Sequence, residues 1–172
     1  MDVRLAVASR REVRRYAPDP LPGEVVTRIL DAGRLAGSGS NRQPWQFLIP
    51  ESRERIEHLA AAVFAPANVL GATLVVAIVV RGKGPISFDA GRAAQNMLLQ
   101  AWSEGVGSSP NGVADSEAAR AALEITDEEE KIAIVLSFGW PAKPRDPSSR
   151  SADEWSARAN RRALDEVVRR LP

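Results

Sequence analysis

The chain has 172 residues, of which 44% are hydrophobic, 26% charged and 5% aromatic, as expected for one globular domain over residues 1–172. It has no cysteine, which excludes disulfides, thiolate metal sites and a cysteine nucleophile. With 23 basic and 22 acidic residues the net charge is +1, without the basic excess of a nucleic-acid binder. The one histidine, His58, is expected on a helix surface, and no metal site is predicted.

The sequence predicts a cytoplasmic protein that makes no contact with a membrane. The longest apolar stretch, Ala72–Val80, is far shorter than the ~20 residues of a spanning helix, and Met1–Leu5 lacks the apolar core of a signal peptide. The cations are mostly arginines, with only Lys83, Lys131 and Lys143 as lysines. The planar guanidinium suits bidentate contacts to phosphate or carboxylate, although genome composition alone also produces such a bias.

Helices dominate the predicted first half of the chain. Prolines in Tyr16–Pro20 end a first helix, and a four-three-four apolar spacing marks a second. Alternation of Trp45, Phe47 and Ile49 indicates a short strand. In order, we expect a helix from Val3 to about Val13, a helix over 25–36, a turn-rich loop at 37–41, a strand at 45–49 and a helix at 51–64.

Two buried strands are predicted in the second half. Ala72–Val80 and Ile132–Phe138 are rich in β-branched residues. Between them we expect a helix capped by Asp89 and ending near Glu104, a small-residue turn at 107–112 and a helix at 116–123. The tail from Asp153 fits either a helix or an extended segment. The pattern indicates an α+β fold with one sheet covered by helices.

Three segments are candidate sites on residue chemistry alone. Arg10 and Arg14 would share a helix face and could grip a phosphate, or they could form a solvated helix end. The loop 37–45 offers small residues, hydroxyls and an amide to a planar ligand, or it is a connector to a core Trp45. Gly107–Gly112 has similar chemistry and the same alternative. None of these glycine segments has the strand-turn-helix context of a dinucleotide fingerprint.

The helix predicted over Ala90–Ala101 is apolar on more than one face. Such a helix must be covered almost all round. A partner subunit could supply part of that cover, or the helix could be buried within the monomer beneath the sheet.

These segments, in this order, resemble the nitroreductase family of FMN-dependent oxidoreductases. Arg10–Tyr16 resembles the family's opening Arg-Arg-Ser-x-Arg-x-aromatic stretch, and Ala36–Phe47 resembles its small-residue loop ending Asn-x-Gln-Pro-Trp-x-Phe. Asp89–Val113 resembles its central helix and following turn, with weaker support from the tail Asn160–Val168. The resemblance implies a mainly antiparallel sheet flanked by helices, and a homodimer with two FMN sites at the subunit interface.

The resemblance also implies which residues bind the flavin. Arg10 and Arg14, in the stretch that includes Arg11 and Glu12, would hold the phosphate or one ring edge. Arg161 would join at the phosphate, with Arg162 or Arg158 as alternatives. From the other subunit, the loop would contribute Gly37, Ser38, Gly39 and Asn41. The turn of Pro110, Asn111, Gly112 and Val113 would lie against the ring, with the amide of Gly112 or Val113 near the reactive nitrogen.

The implied activity is ping-pong transfer of hydride from NAD(P)H, through FMN, to nitroaromatics, quinones or similar small planar acceptors. No protein residue is expected to be catalytic, because the flavin carries the chemistry. Two alternatives stay open on the same fold: a flavin-dependent dehydrogenase or flavin-modifying enzyme, and a non-catalytic dimeric flavin-binding protein.

The chain departs from the family pattern in two places. Glu12 stands where the family often has a serine, and a carboxylate there would lower the flavin potential unless an arginine pairs with it. The link 81–88 is also short, which implies an open or differently shaped substrate pocket.

Overall fold

The structure is a computed structural model that describes residues 1–171 and divides into two compact units. Of the described residues, 1–11 and 146–171 form the terminal unit, and 12–145 form the sheet unit. Pro172, the last residue of the expected domain 1–172, lies outside the described residues. Because the described residues divide into two compact units, the expectation of a single domain stays a prediction.

In chain order the elements are α1 (Val3–Ser9), α2 (Gly23–Arg34), β1 (Trp45–Leu48), α3 (Arg53–Ala61), α4 (Pro66–Leu70), β2 (Leu74–Val80), α5 (Ile86–Ser103), β3 (Gly107–Asn111), α6 (Ser116–Ala122), β4 (Lys131–Gly139), α7 (Ala152–Ala157) and α8 (Leu164–Val167). Helices α1, α7 and α8 belong to the terminal unit. The other nine elements form the sheet unit.

The sheet has four strands in the order β1-β2-β4-β3, and every neighbouring pair is antiparallel. This confirms the α+β class and the antiparallel sheet flanked by helices. Strand β2 is buried along its whole length, as its unbroken apolar sequence predicts, because both faces of the sheet are covered. Strands β1 and β3 form the two edges of the sheet.

Alternation along the strands builds a separate core on each face of the sheet. Val76 and Ile78 of β2 pack with α2 and α5, whereas Val75 and Val79 pack with α3, α4 and α6. Full burial of one such side chain contributes ~1.5–3 kcal/mol. A one-residue slip would exchange the two faces, so these cores determine the register.

Helix α5 buries Ala90, Ala93, Met97 and Ala101 within the sheet unit. Phe88 of the same helix is 67% exposed, so an apolar side chain remains outside the core of the monomer. Burial within the monomer therefore covers the apolar residues predicted over 90–101 except the half-buried Leu99, and Phe88 lies outside that range.

The first predicted helix is wrong in its extent. Helix α1 ends at Ser9, and Arg10 already has extended backbone angles, with φ −56° and ψ 132°. In the sheet unit the chain runs alongside the strands instead: the Val13 N–H donates to the Ser108 carbonyl, and the Ala17 N–H donates to the Trp140 carbonyl. Arg10 and Arg14 therefore do not share a helix face.

Three other predicted elements also differ. The helix expected at 51–64 ends at Ala61, and a second helix starts at Pro66, whose ring favours the first helical position. Helix α5 begins at Ile86, so Asp89 lies in its first turn and is not its N-cap. Residues 107–111, expected as a turn, form edge strand β3 because they pair with β4.

Candidate functional site

The terminal unit brings two of the predicted phosphate ligands to one groove. Helix α1 and the segment around α7 line a groove of about 670 Å³ that includes Arg10 and Arg161. Arg4 and Arg11 also line it, and although Arg4 pairs with Asp153, the groove keeps an excess of positive charge. Arg162 is exposed and does not line this groove. A phosphate is the kind of group that such a set of guanidinium groups binds.

Arg11 has a local structural task within this unit. Its guanidinium donates to the carbonyl oxygens of Ala8 at 2.7 Å and Arg10 at 2.9 Å, at the end of α1. It also donates to the Trp155 carbonyl and lies 5.5 Å from the centre of that indole ring. These contacts connect the end of α1 to α7, so Arg11 shapes the groove that Arg10 and Arg161 line.

In the sheet unit, residues 12–17 are held in an extended conformation. Val13 is buried, whereas Glu12 and Arg14 on either side of it are exposed and share the opposite side of the segment. The Tyr16 hydroxyl donates to the Val13 carbonyl at 2.6 Å and lies 3.0 Å from Ser137 Oγ. Burial raises the pKa of Tyr16 to about 12, and the hydrogen bond to Ser137 offsets part of that rise. Arg14 is thus an exposed cation on an ordered backbone.

The small-residue loop before β1 is pinned by helix α5. The Gly39 N–H donates to the Asp89 carboxylate at 3.2 Å, and Asp89 is only 4% exposed. The guanidinium of Arg92 lies against Gly37, where a Cβ would be 2.2 Å from its Nη2, so a larger residue at this position would displace the Arg92 side chain. Inside the loop, Ser38 Oγ accepts a hydrogen bond from the Gln43 N–H at 2.8 Å.

This pinning leaves polar side chains at the tip of the loop. Ser40 and Asn41 adopt the left-handed conformation, with φ of 51° and 54°, and both are exposed. A non-glycine residue in that conformation costs on the order of 1 kcal/mol and persists only where its surroundings enforce it. The loop therefore presents an exposed hydroxyl and an exposed amide on a constrained backbone.

The turn after β3 is fastened to the segment before α4. The Phe64 N–H donates to the Gly112 carbonyl at 3.0 Å, and the Ala114 N–H donates to the Ala62 carbonyl at 2.8 Å. The N–H groups of Gly112 and Val113 donate to no acceptor within residues 1–171. Two amide donors are consequently available to a ligand on a rigid turn.

Asn111, predicted as a flavin contact, points its side chain into the protein. The residue is 3% exposed, its Oδ1 accepts from Asn68 Nδ2 at 2.9 Å, and its Nδ2 donates to the Val135 carbonyl and to Ser137 Oγ, both at 3.2 Å. Its neighbour Pro110 is exposed. Asn111 therefore holds the turn from beneath, and Pro110 and Gly112 form its outer surface.

Each unit holds groups that suit part of a flavin mononucleotide. The groove of the terminal unit suits the phosphate. Within the sheet unit, the loop has exposed polar side chains and the turn has two unused amide donors, which suit the ring. Within residues 1–171 no group of three or more His, Cys, Asp or Glu residues is placed to hold a metal ion. In the same part of the chain, no helix is both long and apolar enough to cross a bilayer.

Fold and site together define a class of protein. The model of the Nitroreductase family matches residues 7–84 and 85–140, and the chain belongs to this family. Membership supports an oxidoreductase activity. It also confirms the family to which Arg10–Tyr16 and Ala36–Phe47 pointed.

Individual relatives agree with this placement. A protein of Archaeoglobus fulgidus, provisionally named NADH dehydrogenase/NAD(P)H nitroreductase, is 32% identical over 150 residues, which are 81% of this chain and 86% of the relative. The crystal structure of a provisionally named nitroreductase from Desulfovibrio desulfuricans, in complex with FMN, has a TM-score of 0.82 and 28% identity, covering 100% of this chain and 98% of that one. A nitroreductase family protein from Clostridium difficile 630 has a TM-score of 0.81 at 22% identity, covering 98% of each chain, and shows the shared fold.

Sequence reasoning missed several residues that shape these segments. Asp89 was expected as a helix cap, yet it ties the loop to α5, and Arg92 lies where a Gly37 side chain would be. Phe64 was assigned to a helix, yet it is 78% exposed and its ring lies 3.2 Å from the Cβ position of Gly112. The sequence contained no local signal for these roles, because Gly37 contacts Arg92 and Gly112 contacts Phe64 only in the folded chain.

Proposed function

We propose that the chain is an FMN-dependent oxidoreductase that works as a homodimer. It would transfer hydride from NAD(P)H to nitroaromatics, quinones or similar small planar acceptors in a ping-pong sequence. The observation that carries the proposal is the likeness over the whole chain, at 28% identity, to a nitroreductase in complex with FMN. The basic groove and the two unused amide donors supply the chemistry that this cofactor needs.

Each segment has a part in binding the flavin. Arg10 and Arg161 bind the phosphate through charge-assisted hydrogen bonds, because both line the basic groove of the terminal unit. Arg14 contacts the edge of the ring. Asn41, with the backbone of Gly37, Ser38 and Gly39, reaches the flavin of the partner subunit.

The turn and the arginines tune the cofactor. Bound FMN supplies hydride chemistry, accepting from the nicotinamide and donating to the acceptor. The N–H groups of Gly112 and Val113 donate hydrogen bonds toward the ring, and Pro110 gives the ring an apolar surface. Arg14 stabilises negative charge that develops on the pyrimidine side, which raises the potential. Glu12 lies on the same side of the segment as Arg14.

A visible spectrum of the purified protein tests this proposal. We expect a yellow protein with one FMN per subunit, bleached by NADPH or NADH without oxygen and recoloured by a nitroaromatic or a quinone. A yellow dimer that no nicotinamide bleaches would instead be a flavin-binding module. A colourless monomer that does not bind added FMN would overturn the proposal.

Arg14→Ala tests the assigned site. The variant should release FMN during dialysis at least tenfold more readily than the wild type, measured by flavin fluorescence in the dialysate. Arg53→Ala is the matched control, because it removes an exposed cation from α3 that contacts only Glu57 and the Leu70 carbonyl, away from the loop and the turn. Equal retention in both variants would remove Arg14 from the site.

A further inference from the structure

A small cavity lies beside the loop that we assign to the flavin. It has a volume of about 250 Å³ and adjoins Gly39 and Ser40. Its other walls come from the end of the loop, the link after β2 and the start of α5, namely Arg42, Pro44, Arg81, Gly82, Lys83, Pro85, Ile86 and Asp89. The walls therefore include three cations and one carboxylate.

The charges in this cavity are not equally available. Arg81 pairs with Asp127 and Glu129, each at 3.1 Å. The Asp89 carboxylate is buried and accepts the Gly39 N–H. By contrast, Arg42 and Lys83 form no ion pair with any carboxylate among residues 1–171. Two uncompensated cations on one small cavity favour an anionic ligand.

The backbone places these two cations together. Gly82 and Gly84 have φ of 113° and 96°, a conformation that side-chain-bearing residues rarely adopt, so the link turns sharply after β2. Arg42 Nη1 lies 3.4 Å from the Lys83 carbonyl and 3.7 Å from the Cβ position of Gly84. The guanidinium therefore rests against the link without a charged partner.

We propose that Arg42 and Lys83 bind the 2′-phosphate of NADPH, so that the enzyme prefers NADPH to NADH. This rests on the proposed function, because Gly39 and Ser40, which line this cavity, belong to the loop that we assign to the flavin. A nicotinamide stacked on the flavin would leave its nucleotide end near the loop. The 2′-phosphate is the only group that distinguishes the two donors, and arginine suits its geometry.

The test compares kcat/KM for NADPH and NADH in the FMN-loaded dimer of the wild type, Arg42→Gln, Lys83→Gln and the double variant. We expect the wild type to favour NADPH at least tenfold. The double variant should lose at least tenfold with NADPH, mainly through KM, and change less than twofold with NADH. Lys143→Gln, which removes an exposed lysine outside the cavity, should change neither donor.

Binding probes give a readout that does not depend on turnover. By calorimetry, adenosine 2′,5′-bisphosphate should bind the wild type at least tenfold more tightly than adenosine 5′-monophosphate, and the double variant should lose that difference. Affinity for the bisphosphate should fall with ionic strength, since the contact is ionic.

The outcomes separate this proposal from the proposed function. A yellow enzyme that uses NADH and NADPH equally, or keeps its preference in the double variant, overturns the 2′-phosphate site and leaves the activity intact. Equal losses with both donors would assign the cations to the diphosphate that both donors share, and would also overturn it. A protein that binds no flavin and oxidises neither donor overturns the proposed function itself.

Discussion

Replacing Asn111 with alanine tests whether this side chain holds the turn from inside or contacts the flavin. The substitution leaves Asn68 Nδ2 without its acceptor and removes the donor to the Val135 carbonyl and Ser137 Oγ. Nothing else about β3 changes, because alanine keeps the backbone and fits the space. The effect on stability therefore reports on this buried network.

The expected magnitude follows from the groups left unsatisfied. A buried polar group that loses its partner costs ~1–3 kcal/mol, and each ordinary hydrogen bond contributes ~1 kcal/mol. Asn68 is 7% exposed and Ser137 is fully buried, so water does not readily replace Asn111. We expect Asn111→Ala to lower the free energy of unfolding by about 3 kcal/mol. Asn68→Ala with Asn111→Ala should cost less than the sum of the single changes, because both remove the same hydrogen bond.

Urea unfolding of flavin-free protein, at one fixed protein concentration, measures this loss by linear extrapolation. The control is Gln46→Ala, which truncates an exposed amide on β1 and should change stability by less than ~0.5 kcal/mol. If Asn111→Ala unfolds like the wild type but fails to retain FMN, then the side chain is a cofactor contact, and the idea that it holds the turn from inside is refuted.

Three more changes probe the framework of the two units. Burial raises the pKa of Tyr16 from 10.0 to about 12, so its neutral form contributes stability that is complete below pH 10 and lost by pH 12. Circular dichroism should show a smaller alkaline loss for Tyr16→Phe, and an equal loss would contradict this. Gly107→Ala would place a Cβ 2.7 Å from both Cβ and Cγ1 of the buried Val13, so urea unfolding should show a loss of ~1–3 kcal/mol; a variant as stable as the wild type would refute the clash. Arg11→Ala removes the contact with Trp155 and should speed hydrogen exchange in residues 152–157. Arg11→Lys should speed it as well, because lysine lacks the planar guanidinium that makes this contact. Unchanged exchange in Arg11→Ala would show that the contact does not stabilise α7.

The candidate site was only partly predictable. The loop 37–41 and the turn 110–113 were identified from small residues and from the family resemblance, and the structure gives both of them exposed polar groups or unused donors. The roles of Asn111 and Arg11 were not predictable, since each depends on partners far away in sequence. Asn111 lies 43 residues from Asn68, and Arg11 lies 144 residues from Trp155.

Local patterning by itself predicted the strands over 72–80 and 132–138, the helix at 25–36 and the α+β class, because apolar periodicity and β-branched runs act within a few residues. The antiparallel sheet and the family were implied by the resemblance of Arg10–Tyr16 and Ala36–Phe47. Only the tertiary structure decided that Arg10 and Arg14 do not share a helix face and that Asp89 accepts a hydrogen bond from the loop. It also decided that Arg42 and Lys83 line one cavity without an ion pair to any carboxylate among residues 1–171. These features depend on which backbone groups find partners when distant segments meet. The hydrogen bond from Val13 to Ser108 therefore holds in an extended conformation a residue that the sequence places at the end of a helix.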